Sequence, residues 1–340
     1  MLGKNIRYYR IQKNYTQEYL AESVGVQKMT ISNYENDKRE PDIQVIKKIC
    51  KVLDVSLNRF MAYQPLRGDE IILNGKFRKN DNLSSAQEQQ IIDQIKYSIE
   101  RYLQVADLLG NGCIDTGNLA HSLYDPDPDS DNAAWRLRKI LGLPERGPIG
   151  NLIQNLENSN IYLINIKIMN SDFSGYSCWI GQIPVIAYND SMTMERQRFT
   201  IAHELVHLFL EKEHKLSEKK VDDIAGRFLL PTKDCRRELG NKRKNIGISD
   251  IRFVHDEYGV SGQCVVLRAR QAAVINSETY RRVSDSSITS NMRKESPSRL
   301  KQLVCRAYND DEIGLSKVSE LLDISYAEAM ELCGMEGVSE

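Results

Sequence analysis

The chain has 340 residues, 41% hydrophobic and 27% charged, with a formal net charge of −1; the length suits two or three domains, and the composition excludes disordered and fibrous classes. Its 7 cysteines are scattered with no C-x-x-C spacing, which argues against a disulfide framework and a cysteine-rich zinc module. No apolar run is long enough for a bilayer and the N-terminus has no signal-peptide pattern, so the expectation is a cytoplasmic protein with no membrane partner.

Residues 1–62 carry 11 Lys/Arg against 7 Asp/Glu, or +4, leaving −5 for the remainder. A basic end on an acidic body is compatible with nucleic-acid contact by that end. Ile6, Tyr9 and Ile11 mark a first apolar stripe. Thr16 is placed to cap a second helix whose apolar positions are Tyr19, Leu20 and Val24, and Gly25 breaks it. A third helix, from about Gln27 to Asn36, buries Ile31 and Tyr34 and exposes Gln27, Lys28, Thr30 and Asn33. Beyond the loop Asp37–Pro41, the residues Ile43, Val45, Ile46, Ile49, Leu53, Leu57 and Phe60 supply more helical core.

Helix, glycine turn and helix with exposed amides is what a major groove about 12 Å wide admits and what can read its base edges. The segments Thr16-Gln17-Glu18-x-Leu20-Ala21, Val24-Gly25-Val26 and Ile31-Ser32-x-Tyr34-Glu35, with Pro41, resemble the repressor-type (Cro/C1, XRE) helix-turn-helix over residues 5–60. The resemblance implies a double-stranded DNA operator as partner. It puts Gln17 and Asn36 on phosphates and turns Lys28, Met29, Thr30 and Asn33 to bases, with Lys38 and Arg39 adding backbone contacts. Met29 departs from the polar residue usual at that position. Repressor-type domains commonly bind paired half-sites, which implies a homodimer.

Residues 63–132 read as a helical connector with an acidic hinge. One amphipathic helix runs from Ala86 to about Leu109, and Asp125–Asp131 is an exposed, proline-broken loop. From Ala133 onward order returns, with a helix from Trp135 to Leu141 stopped at Gly142 and another after Pro148. Ile161–Ile168, Tyr176–Ile180 and Pro184–Tyr188 are short β-branched or aromatic runs and predict three strands. Asn189-Asp190-Ser191 then begins the next helix.

That helix carries Arg198-Phe-Thr-Ile-Ala-His203-Glu204-Leu-Val-His207-Leu, a His-Glu-x-x-His inside the most apolar stretch of the chain. Residues four apart share a helix face, so His203 and His207 can bring two imidazoles to one ion, with Glu204 as general base towards a water. Unpartnered imidazoles would be costly to bury there, which favours a metal. A catalytic zinc takes three protein ligands. His214 is a poor third, because Leu210 and Glu213 stand where a metzincin needs glycine and histidine. The next helix, about Ser217 to Leu230 and stopped by Pro231, offers Glu218 and Asp222 one turn apart on one face. Val221, Ile224, Ala225 and Phe228 form its buried side. Tyr188, His255 and Tyr258 are candidate oxyanion donors.

The run Arg198–Leu208, followed by Glu218-x-x-Val221-Asp222-x-Ile224-Ala225-x-x-Phe228-Leu-Leu-Pro231, is similar to the ImmA/IrrE family of metallopeptidases. Gly147-Pro148-Ile149 and Tyr258-Gly-Val260-Ser261…Arg268, a short helix-turn-helix-like element, match as well, so the likeness covers about residues 133–275. It implies Zn2+ held by His203, His207 and Glu218, catalysis by Glu204, and a protein substrate of the helix-turn-helix repressor kind. The chain has Val221, Asp222 and Ile224 where Ala, Asn and Phe are usual, and Asp222 stays open as an alternative ligand.

Residues 276–298 read as a loop or linker, and Leu300–Tyr308, Leu315–Leu322 and Tyr326–Leu332 as short helices. The last two have a helix-turn-helix rhythm with an acidic exposed face, which suits packing or partner docking rather than DNA. The expected class is α+β and mainly helical: a helix-turn-helix bundle over 1–62, the connector 63–132, a zincin-like domain with a small sheet over 133–275, and a helical C-terminal region over 276–340. The expected function is a DNA-binding regulator fused to a zinc endopeptidase that cleaves a repressor-type protein, or itself, in a stress or mobile-element response. The competing expectation is a non-proteolytic transcription factor or antitoxin whose peptidase-like domain senses a ligand or metal.

Overall fold

The computed structural model describes residues 2–13, 15–55, 57–62, 77–79, 85–110, 128–167, 173–180, 183–210, 216–283, 288 and 293–334. They divide between two compact units. Of the stretch Asp125–Asp131, residues 125–127 lie outside the described residues, as do Glu213 and His214; its other end is not the expected exposed loop, because Asp129 accepts the Asn132 N–H and caps a helix that begins at Ser130.

The first unit opens with α1 (Leu2–Gln12), α2 (Gln17–Val24), α3 (Lys28–Glu35), α4 (Ile43–Leu53) and α5 (Leu57–Ala62). The Thr16 hydroxyl accepts the Tyr19 N–H at the start of α2, and Gly25 ends that helix in the left-handed region at φ 82°, where a side chain would be strained. Asp42 caps α4 by accepting from the Gln44 and Val45 N–H groups. Ile6, Leu20, Ile31, Ile49, Leu53 and Phe60 close a dry centre. The long α6 (Ser85–Leu108) belongs to the same unit: its Tyr97 enters that core, and its Asp93 accepts a hydrogen bond from Arg7 on α1 at 2.5 Å.

The second unit begins with a short strand, β1 (Phe77–Lys79), from a stretch the sequence reads as helical connector. It continues with α7 (Ser130–Ile140), α8 (Leu152–Asn158), β2 (Tyr162–Ile166), β3 (Phe173–Ile180) and β4 (Ile183–Asn189). The sheet runs in the order β1-β3-β4-β2, with β1/β3 and β3/β4 antiparallel and β2/β4 parallel. Three of its strands are the predicted ones. The fourth is too short to show the period of two that marks a strand in sequence.

Helix α9 (Met194–Leu210) follows and packs on β3 and β4, beginning a few residues later than Asn189 because β4 runs on through that residue. Beside it lies α10 (Glu218–Leu229), then α11 (Thr232–Leu239), α12 (Ile248–Tyr258), α13 (Gly262–Gln271) and α14 (Ser277–Val283). The open C-terminal end of α10 is closed by two buried arginines. Arg138 of α7 donates to the carbonyls of Phe228 and Leu229, and also of Pro144 and Gly147, while Arg268 of α13 donates to that of Leu230. Burial pulls the Arg138 pKa down to about 10, which leaves it charged at neutral pH.

The described parts of 276–298 carry more structure than the linker the sequence suggests. They contain α14, and Glu295 is buried, accepting from Arg198 and from the Ile153 N–H. A charged side chain with such partners is a core element of the unit, though composition marks it as loop.

The chain then returns to the first unit with α15 (Arg299–Asn309), α16 (Leu315–Leu322) and α17 (Tyr326–Leu332). Leu303, Val304, Val318, Leu321 and Ala329 are buried there, and the Leu321 carbonyl accepts from Arg101 of α6. The class is α+β and mainly helical. Among the described residues no helix is long and apolar enough to cross a membrane.

Candidate metal centre and helix-turn-helix face

Along α9 the apolar residues Ile201, Ala202, Leu205, Val206 and Phe209 face the core, which fixes the helix and turns His203 and His207 together to one side. Their Nε2 atoms lie 2.9 Å apart. Glu218, the first residue of α10, is set by the cap at Ser217, whose hydroxyl accepts the Lys220 N–H. Its Oε2 stands 3.2 Å from the Nε2 of His203 and 3.8 Å from that of His207. Donors about 2.0–2.1 Å from a tetrahedral ion are separated by about 3.3 Å, and these three distances bracket that value. Among the described residues this is the one group of three potential metal ligands found within such reach. His203 is fully buried whereas the Glu218 side chain is 59% exposed, so the cluster has a dry wall and an open side.

Asp222, one turn along α10, reaches the opposite nitrogen of the same ring. Its Oδ1 lies 2.8 Å from the Nδ1 of His203. A carboxylate only accepts, so in this contact the Nδ1 N–H donates to Asp222, the arrangement that would leave Nε2 as the ligating nitrogen for a metal. Asp222 thus stands at the Nδ1 side of the ring, while Glu218 and His207 stand at the Nε2 side.

Glu204 points towards the sheet, almost fully buried. Its Oε2 accepts a 2.6 Å hydrogen bond from the Ser177 hydroxyl of β3. Two residues back on β3, a Cβ at Gly175 would come within 2.6 Å of Thr200 and 3.0 Å of the Glu204 Oε1, so the glycine makes room for the carboxylate. Neither Ser177 nor Gly175 stands out in the sequence. Their signal is the alternation of small residues at 175 and 177 on the strand face turned to α9.

Of the three candidate oxyanion donors, Tyr258 and His255 are engaged elsewhere, whereas the Tyr188 hydroxyl is buried without a hydrogen-bond partner. Tyr188 is fully buried in the core, where burial pushes its phenol well above the ordinary range. Tyr258 donates to Glu238 and accepts from Arg237, and His255 donates from Nδ1 to the Val260 carbonyl.

On the first unit, Gly25 turns the chain so that α3 presents a polar strip. Gln27, Lys28 and Met29 are exposed and Thr30 and Asn33 half-buried, with Asn36, Lys38 and Arg39 exposed at its end. Lys28 pairs with Glu18 at 3.1 Å, and the Asn36 amide donates back to the Ser32 carbonyl. Arg39 lies 6.0 Å from the centre of the Tyr34 ring. Gln17 is tied down: its amide donates to Glu35, which also takes a two-pronged bond from Arg10 at 2.5 and 3.0 Å. That buried Arg10–Glu35 pair, unremarked in the sequence, fixes α1 and the start of α2 against α3.

Comparison with known proteins separates the same two parts. Residues 6–60 match the Helix-turn-helix family model and residues 156–270 the IrrE N-terminal-like domain. The uncharacterized HTH-type transcriptional regulator MJ0272 of Methanocaldococcus jannaschii is 36% identical over 63 residues, 18% of this chain and 96% of that protein. The chain belongs to the XRE-type helix-turn-helix family. The HTH-type transcriptional regulator SinR of Bacillus subtilis is 40% identical over 62 residues, 18% of this chain and 56% of SinR. ImmR of the same organism is 36% identical over 61 residues, 18% of this chain and 48% of ImmR. The chain thus spans about half the length of these two relatives. The IrrE-type match takes in α9 and α10 whole, and with them every residue of the metal cluster.

Proposed function

We propose that this chain is a transcriptional regulator that binds double-stranded DNA through α2 and α3 and carries a zinc-dependent endopeptidase in its second unit. The observation that carries the enzymatic part is the convergence of His203, His207 and Glu218 beside a buried Glu204. Zinc held by those three residues would polarise a scissile carbonyl and make a water acidic near neutral pH. The remaining work falls to the chain. Asp222 fixes the tautomer of His203, and Ser177 holds the Glu204 carboxylate on the β3 side. Glu204 takes a proton from the attacking water and returns it to the departing amine. The substrate is a repressor-type protein, or this chain itself, and the setting is a stress or mobile-element response. On the DNA side, Lys28, Met29, Thr30 and Asn33 face the bases, with Gln27 beside them. Gln17, Asn36, Lys38 and Arg39 meet the backbone, and binding is by a homodimer on paired half-sites.

The test is metal content by mass spectrometry on purified wild type, His203→Ala and Glu218→Ala. The expected result is about one zinc per wild-type chain, lost in both variants, with Glu204→Gln keeping the metal while losing hydrolysis. A wild-type chain that neither contains zinc nor takes it up on titration overturns the peptidase.

A further inference from the structure

Helix α6 lies outside the matched helix-turn-helix region, yet it forms one wall of a cleft on that part of the molecule. Gln90, Asp93 and Tyr97 are three and four residues apart, so they share one face of the helix. Tyr97 anchors that face in the core of α1–α5, and Asp93, a turn earlier, holds Arg7 of α1. The next turn back brings Gln89 and Gln90 to the cleft, about 10 Å along the axis from Tyr97.

The cleft measures about 520 Å³. Its other walls include Gln17 at the start of α2, with Lys28 and Asn36 at the two ends of α3. The three carboxylates that line it, Asp93, Glu35 and Glu18, each face a cation: Arg7, Arg10 and Lys28 in turn. An anion entering the cleft therefore meets paired charges and the amides of α6. A primary amide carries two N–H donors. Gln89 is exposed and gives one of them to Asp93 at 3.0 Å, which leaves the second for a ligand. Glutamine and asparagine amides are regular partners of phosphate oxygens on duplex DNA.

We propose that Gln89 and Gln90 of α6 bind the DNA backbone and extend the phosphate track beyond what α2 and α3 supply. The proposal rests on the DNA-binding reading of those two helices. The ligand is a backbone phosphate, with one strand of the duplex passing Gln17 and Asn36 and then the start of α6. Phosphate contacts carry no sequence information directly, so α6 strengthens binding to any duplex and adds no base preference.

The experiment titrates the full chain against a fluorescein-labelled random-sequence duplex, by anisotropy, over a series of salt concentrations. Each cation set on a phosphate steepens log K against log salt by about 0.9, which between about 50 and 200 mM salt is a further loss of about 3.5-fold in affinity. Gln89→Lys/Gln90→Lys should bind tighter than wild type at low salt and lose on the order of tenfold more affinity across that range. Asp107→Lys makes the same change in net charge at the exposed far end of α6, about 26 Å from Gln90, and should keep the wild-type slope. Lys28→Ala/Asn33→Ala, on the α3 face, should weaken binding. Gln90→Lys alone, with about half the change in slope, serves if the double variant does not fold. A wild-type slope in the lysine variant, or an equal steepening in Asp107→Lys, overturns the α6 contact alone, provided the α3 variant is weakened. An α3 variant that binds as tightly as wild type brings down the DNA reading, and the α6 contact with it.

Discussion

His203 shows how one side chain can leave a sequence-level choice open. Glu218 and Asp222 sit one turn apart on α10, and an imidazole offers two nitrogens, so either carboxylate could serve as ligand. The two carboxylates stand at different ring nitrogens, Glu218 at Nε2 and Asp222 at Nδ1. A carboxylate on the outer nitrogen makes the ring a stronger donor, and losing such a partner typically weakens metal affinity about 10- to 100-fold. Asp222→Asn can keep the hydrogen bond but loses the charge. It should weaken zinc binding towards the lower end of that range, and Asp222→Ala towards the upper end, both read by competition with a chromophoric chelator. Unchanged affinity in both would show that Asp222 only packs.

The end of α10 presents a similar economy in a whole element. Its last carbonyls would be orphaned in the core but for the guanidinium groups of Arg138 and Arg268. Arg138→Met keeps the volume and strands the buried carbonyls of Phe228 and Leu229, at about 1–3 kcal/mol for each. The loss in urea unfolding should exceed about 2 kcal/mol, and a loss below about 1 kcal/mol would mean that water replaces the arginine. None of this is readable in the sequence, where Arg138 looks like one more charge on an amphipathic helix. What was readable came from local signals. Thr16 and Gly25 bound α2, the apolar period set α9, and β-branched runs marked three strands. What was not readable depends on partners distant in sequence: β1 on the edge of β3, Gly175 under Glu204, Glu295 inside the core, Tyr97 completing the helix-turn-helix unit.

Both tryptophans, Trp135 on α7 and Trp179 on β3, belong to the second unit, so intrinsic tryptophan fluorescence follows that unit alone. A ligand present at a thousand times its Kd stabilises the state it binds by about 4 kcal/mol. Chelation should therefore lower the fluorescence-detected melting temperature by several degrees, and added zinc should restore it. No shift would count against a metal in this unit. The first unit has a different architecture, being gathered from three separate stretches of chain. Tyr97 of α6 is embedded among the residues of α1–α5, and Asp93 grips Arg7. If a peptide bond between residues 62 and 85 were cut, the pieces would stay clasped like the halves of a split protein. Such a cut would work as a timer: the helix-turn-helix half would leave at the rate at which α6 lets go, not at the moment of cleavage.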